Sequence, residues 1–101
     1  MTLSYADRVN RIEVVWEPAG LASADAHGIP LHEAMEALLG DGPVVERQLS
    51  GELLLVARQV ASGRIILLTV MRLDRFSVVQ RIIGVRELPA ADLEEWRKQA
   101  K

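Results

Sequence analysis

The chain has 101 residues, no cysteine, a formal net charge of −2 and an apolar share of 50%. That length suits one domain spanning residues 1–101 with a core of its own, and the missing thiols exclude disulfide scaffolds, thiol nucleophiles and cysteine-type zinc sites. Low-complexity tracts are absent, so fraying is expected only at residues 1–8 and 98–101. No basic segment followed by an apolar run opens the chain, and the longest apolar region, Leu53 to Met71, is interrupted by Arg58, Gln59, Ser62-Gly63 and Arg64. A soluble cytoplasmic protein without a membrane span is therefore the expectation.

Charge is unevenly spread. Residues 1–46 carry two basic and eight acidic side chains, whereas residues 47–86 carry seven arginines against Glu52 and Asp74. Such segregation builds a basic face for phosphates or an acidic partner, or else a row of solvated strand-edge charges that discourages aggregation. Composition leaves both readings open.

From Arg11 to Glu17, Ile12, Val14 and Trp16 alternate with Glu13, Val15 and Glu17, the period of a strand with one face on a core. Pro18 stops it and suits the first turn of a short helix over residues 19–26, weakened by Gly20 and Ser23 and ended by His27-Gly28. Gly28 is the natural left-handed residue after that helix. Leu31, Ala34, Met35, Leu38 and Leu39 form the apolar stripe of a second helix, opened by Pro30 and stopped at Gly40-Asp41-Gly42-Pro43. Residues 44–50 are ambiguous, with Val44-Val45 strand-like and Ser50-Gly51 a break.

Glu52–Val60 reads as a strand with Leu54, Val56, Arg58 and Val60 on one face. The turn Ala61-Ser62-Gly63 leads into Arg64–Arg72, and a loop at Leu73–Phe76 leads into Ser77–Arg86, completing a three-stranded meander. Pro89 opens a last helix with Leu93, Trp96 and Ala100 on one side. The order predicts an α+β domain: an antiparallel sheet made of the N-terminal strand plus the meander, packed by two N-terminal helices and one C-terminal helix.

Chemistry narrows to arginine. His27 and His32 lack metal-ligand spacing, and no phosphate-cradling loop or nucleophile elbow is present, so neither metal nor cofactor is expected. Arg58, Arg64, Arg72, Arg75, Arg81 and Arg86 fall in the sheet, and a guanidinium offers phosphate two parallel hydrogen bonds while staying charged. Arg81 and Arg86 differ in parity, so a regular strand points them to opposite faces; a bulge at Gly84 brings both to one side. Arg58 needs an acidic or phosphate partner if buried. Arg64 and Arg72, at hairpin ends, are more simply solvated.

The series Trp16…His27-Gly28-Ile29…Glu33-Ala34, then Gly63-Arg64-Ile65-Ile66, then Arg81-Ile82-Ile83-Gly84-Val85-Arg86 resembles the BrnT family of bacterial type II toxins. The resemblance spans residues 11–97 and implies a RelE-like fold. It also implies a ribonuclease cleaving RNA by attack of a 2′-hydroxyl on the adjacent phosphate, neutralised by a cognate ribbon–helix–helix antitoxin. A homodimer or a toxin–antitoxin heterotetramer follows from the same likeness. Arg81 and Arg86 match the family motif and are the implied catalytic pair, with Arg58 a weaker third. Arg64, Arg72 and Arg75 are assigned to RNA phosphate. For a general base the choices are His27, Glu87 and His32. The chain departs from the family at Gly84 (Ser preferred), Leu93 (Arg), Pro30 (a capping Ser) and at Leu53 and Leu54, where an arginine is usual. The alternative is a non-catalytic RelE-like protein-binding module that kept the fold and partner interface but lost activity. A DNA-binding regulator fits less well, because all three predicted helices are acidic or neutral.

Overall fold

Among residues 3–7, 12–72 and 78–100, which the computed structural model describes, six strands and three helices form. They are β1 (Leu3–Asp7), β2 (Ile12–Trp16), α1 (Pro18–Ala26), α2 (Leu31–Leu39), β3 (Val44–Gln48), β4 (Leu53–Gln59), β5 (Ile65–Met71), β6 (Val79–Glu87) and α3 (Leu93–Gln99). A single 3-10 turn at Ala90–Asp92 leads into α3. The loop expected at Leu73–Phe76, with Arg75, lies outside the described residues.

The α+β class holds, but the sheet is larger than expected and mixed. All six strands belong to one sheet in the order β1-β2-β6-β5-β4-β3. β3 through β6 are antiparallel neighbours as the meander predicts, whereas β2 lies parallel to β6, Val15 beside Arg81 and Trp16 beside Ile82. Parallel neighbours need a long crossover rather than a tight turn. Here α1, α2 and the meander supply it, and alternation in residues 12–17 carries no information about strand direction. Two further expectations change. Val44–Gln48 is a strand paired with β4, and Leu3–Asp7, expected to fray, pairs antiparallel with β2. α3 likewise continues through Lys98 to Gln99.

Helices cover the two faces unequally. α1 lies over β6 and α2 over β4 and β5, burying Val14, Trp16, Val56, Ile66, Leu68 and Val70 beneath them. The opposite face carries a smaller cluster of Ala57, Ile65, Leu67 and Trp96, the last contributed by α3. No described helix is long and apolar enough to cross a membrane.

α1 has no broad apolar stripe and packs through small residues. A methyl group at Gly20 would overlap the Ile82 carbonyl oxygen, so the missing side chain lets the helix backbone rest on β6. One turn on, the Ser23 hydroxyl donates to the Val85 carbonyl (2.8 Å) and accepts from the Val85 amide (3.0 Å). β2 has left the sheet by this point, its last register pair being Trp16 with Ile82. Ser23 thus satisfies strand groups that would otherwise be buried and unpaired.

His27-Gly28-Ile29 closes α1 as a Schellman motif. Gly28 takes φ 65°, its amide donates to Asp25 O (3.2 Å), the Ile29 amide donates to Ala24 O (2.9 Å), and Ile29 is buried. The triplet is therefore a helix stop.

Two substitutions test the α1–β6 seam by urea denaturation. Ser23→Ala leaves the Val85 amide and carbonyl without their side-chain partner and should cost about 1–3 kcal/mol. Gly20→Ala should also destabilise, by about 1–3 kcal/mol from overpacking, because the overlap outweighs the roughly 1 kcal/mol gain in helix propensity.

Candidate functional site

Strand β6 contains one residue more than its partner requires. Val70 pairs with Ile82 and Thr69 with Gly84, leaving Ile83 as a bulge. The slip resets alternation as the parity argument requires, but the extra residue is Ile83 and not the expected Gly84, which is paired in register with Thr69. Arg81 then stands opposite Met71 and Arg86 opposite Leu67, two positions of the same parity on β5. Leu67 belongs to the α3-side cluster while Ile66 and Leu68 belong to the core under α1 and α2, so both arginines project from the α3 side of the sheet. Thr69 and Gly84 lie between them, and a side chain at Gly84 would meet the Thr69 hydroxyl at 3.3 Å.

Met71 and Leu67 are four residues apart, so the arginine backbones are separated by roughly 13 Å at about 3.3 Å per residue. Strand side chains stand nearly perpendicular to the sheet. The two guanidiniums thus form two separate cationic positions instead of one clamp. Arg81 is half-exposed and its Nη1 donates to Glu17 Oε1 at 2.8 Å. A pair so exposed contributes about 0–1 kcal/mol, which an incoming phosphate displaces readily. Arg86 is exposed and lines a cleft of about 240 Å³ between the sheet and α3. Its floor includes Leu55, Ala57 and Leu67; its rim adds Arg47 from β3 with Asp92 and Glu95 from the C-terminal segment. Trp96 anchors that segment, its indole N–H donating to Ala57 O at 2.9 Å.

The remaining sequence candidates lie elsewhere. Arg58 points to the helix-pair face, where Nε donates to Ala37 O (2.9 Å) and Nη1 to Gly42 O (2.7 Å). It therefore holds the C-terminal end of α2, whose last carbonyls lack helical partners and carry partial negative charge. Carbonyls, and neither an acid nor a phosphate, satisfy it. Arg64 lies between two carboxylates: Nε donates to Glu87 Oε1 at 2.9 Å, and Nη1 is 3.3 Å from Glu33 Oε1. The second contact is an ion pair without hydrogen-bond alignment, so the buried Glu33 oxygen has a counter-ion but no aligned donor. Arg64 is thus tied down rather than simply solvated.

Glu87 shares the parity of Ile66 and engages Arg64, which takes it off the arginine face. His27 ends α1 and His32 lies on α2, both exposed and both in the helix layer opposite that face. Neither they nor Glu87 stand with Arg81 and Arg86. Arg72 is half-buried at the end of β5, its amide donating to Glu52 O at 2.8 Å. Among the described residues, no group of three or more acidic or histidine side chains could hold a metal ion.

Sequence reasoning missed Glu17, Arg47, Thr69, Asp92 and Glu95 as neighbours of the arginines. Glu17 carries a usable signal, since it shares the period of Glu13 and Val15. Reading that signal requires knowing that β2 lies beside β6. Among known proteins, no family model, no curated protein and no solved structure matches this chain.

The division of labour among arginines is measurable. Arg58→Ala should lower unfolding free energy by about 1.5–3 kcal/mol, the range for hydrogen bonds to a charged group. Arg86→Ala should stay within about 0.5 kcal/mol of wild type, as for an exposed surface change. Urea titrations of the two variants check both.

Proposed function

We propose that the chain is an RNA-cleaving toxin of a bacterial toxin–antitoxin pair, BrnT-like with a RelE-like sheet, whose working surface is the α3 side of that sheet. The observation that carries the reading is the β6 bulge, which sets Arg81 and Arg86 on one face, away from α1 and α2. These two arginines are also the site residues that match the family motif in the sequence resemblance. Each binds a backbone phosphate, and the one at the scissile position stabilises the charge that builds as the 2′-oxygen attacks phosphorus, losing its proton to water, while the P–O5′ bond breaks and the departing 5′-oxygen is protonated by water.

Arg58 and Arg64 take no part, being engaged by carbonyls and carboxylates within the fold. Proton removal falls to neither His27 nor Glu87. Of the carboxylates, Glu17 touches Arg81 directly and shares its exposed surroundings. An enzyme lacking a positioned base forgoes about 10²–10⁴-fold in rate, so cleavage of free RNA should be slow. The cognate antitoxin, a ribbon–helix–helix protein on the family's pattern, would neutralise the toxin by occupying the face that carries Arg81 and Arg86.

Two assays test the reading. Expressed without its antitoxin, the chain should arrest bacterial growth, and the purified protein should cleave labelled RNA. Arg81→Ala and Arg86→Ala should both lower the cleavage rate, the arginine at the scissile phosphate by about 10²–10³-fold, the scale for losing one charge-stabilising donor, and the other by less, through weaker RNA binding. Normal growth at high expression, with both variants indistinguishable from wild type, would sink the proposal in favour of a non-catalytic binding module.

A further inference from the structure

The cleft beside Arg86 combines features that a simple phosphate site does not need. Its floor is apolar, formed by Leu55 and Leu67 with Ala57, while its rim has cations from the sheet and carboxylates from Asp92 and Glu95. A bare anion gains from Arg47 and Arg86 but is repelled by those carboxylates. An apolar side chain gains from the floor but makes no use of the exposed charges on the rim. A nucleotide uses all three elements: phosphate for arginine, a flat base for the floor, and exocyclic amino groups that donate to carboxylates. At about 240 Å³ the space is smaller than the usual range for drug-sized ligands, roughly 300–1,000 Å³, and suits one base rather than a longer segment.

We infer that this cleft is a nucleobase subsite: it receives the base of the nucleotide whose phosphate Arg86 holds, with Asp92 and Glu95 reading amino groups on the base edge. The inference rests on the RNA reading above and adds a base-selective contact to it. Bases with an exocyclic amine, adenine, cytosine and guanine, are then preferred over uracil, which has none.

Titration of the ¹⁵N-labelled protein with mononucleotides tests it without requiring cleavage. Adenosine or cytidine 5′-monophosphate should shift the Trp96 indole N–H and the Arg86 and Glu95 amides saturably. Inorganic phosphate, adenosine alone and uridine 5′-monophosphate should each bind roughly tenfold more weakly, the effect of losing one charge-assisted contact. Arg86→Ala should erase the advantage of nucleotide over nucleoside. Asp92→Asn with Glu95→Gln should erase the preference for amino-bearing bases. Inorganic phosphate binding as tightly as the nucleotides would reduce the cleft to an anion site and overturn the inference. So would saturable shifts confined to Arg81, or none at all. RNA cleavage with no shifts in the cleft defeats the subsite alone, whereas nucleotide binding without any cleavage defeats the ribonuclease reading alone.

Discussion

Ile82 and Val85 are both buried to within 1% in the core beneath α1 and α2, although they are three residues apart on one strand. A regular strand offers one face only to residues an even number apart, so it could bury one of them and would expose the other. Fully burying such a side chain is worth about 1.5–3 kcal/mol, enough to favour an extra unpaired residue between them. The Ile83 bulge is that solution, and much of the rest depends on it. It sends Arg86 to the same face as Arg81. It sets Gly84 against Thr69, where little room remains for a side chain, and it places Val85 where Ser23 of α1 takes the position a neighbouring strand would fill.

The arginines separate by what their guanidiniums find. Arg58 finds carbonyls at a helix end and the following loop, and locks α2 to the sheet. Arg64 finds carboxylates from α2 and β6 and joins the helix layer to the hairpin turn. Arg58, held by two carbonyls in part-buried surroundings, and Arg64, held by two carboxylates at once, are each more fully engaged than Arg81, which meets a single carboxylate. Arg81 and Arg86 remain. Their surroundings are exposed, and the acidic N-terminal half sits largely in the opposite layer. Glu17 nevertheless pairs with Arg81, and Asp92 and Glu95 border the cleft that Arg86 lines, so each arginine is a local cationic position on a face of mixed charge.

α3 is short for an independent helix. Seven residues are too few to be stable alone, so its position rests on tertiary contacts, chiefly the burial of Trp96 and the indole hydrogen bond to Ala57. That anchor does two things at once. It covers the apolar end of the arginine face over Ala57, Ile65 and Leu67, and it brings Asp92 and Glu95 to the lip of the cleft that Arg86 lines. One aromatic residue thereby determines how much of the face stays open and what charge borders it.

Local patterns by themselves determined the α+β class, both N-terminal helices, the left-handed stop at Gly28, the meander of β4, β5 and β6, and the dependence of the Arg81–Arg86 pair on a bulge. Each rests on periodicity, turn chemistry or parity, which act over a few residues and are written into neighbouring side chains. Only the tertiary structure decided that β2 lies parallel to β6, that β1 and β3 extend the sheet, and that Glu17 meets Arg81. It also decided that Arg58, Arg64, Glu87 and His27 belong to the scaffold side. Strand direction and neighbour choice leave no local signature, because they are set by which surfaces bury each other across the whole chain. For the same reason an arginine's role is not legible from its own position: its partners are carbonyls and carboxylates that only folding brings within reach.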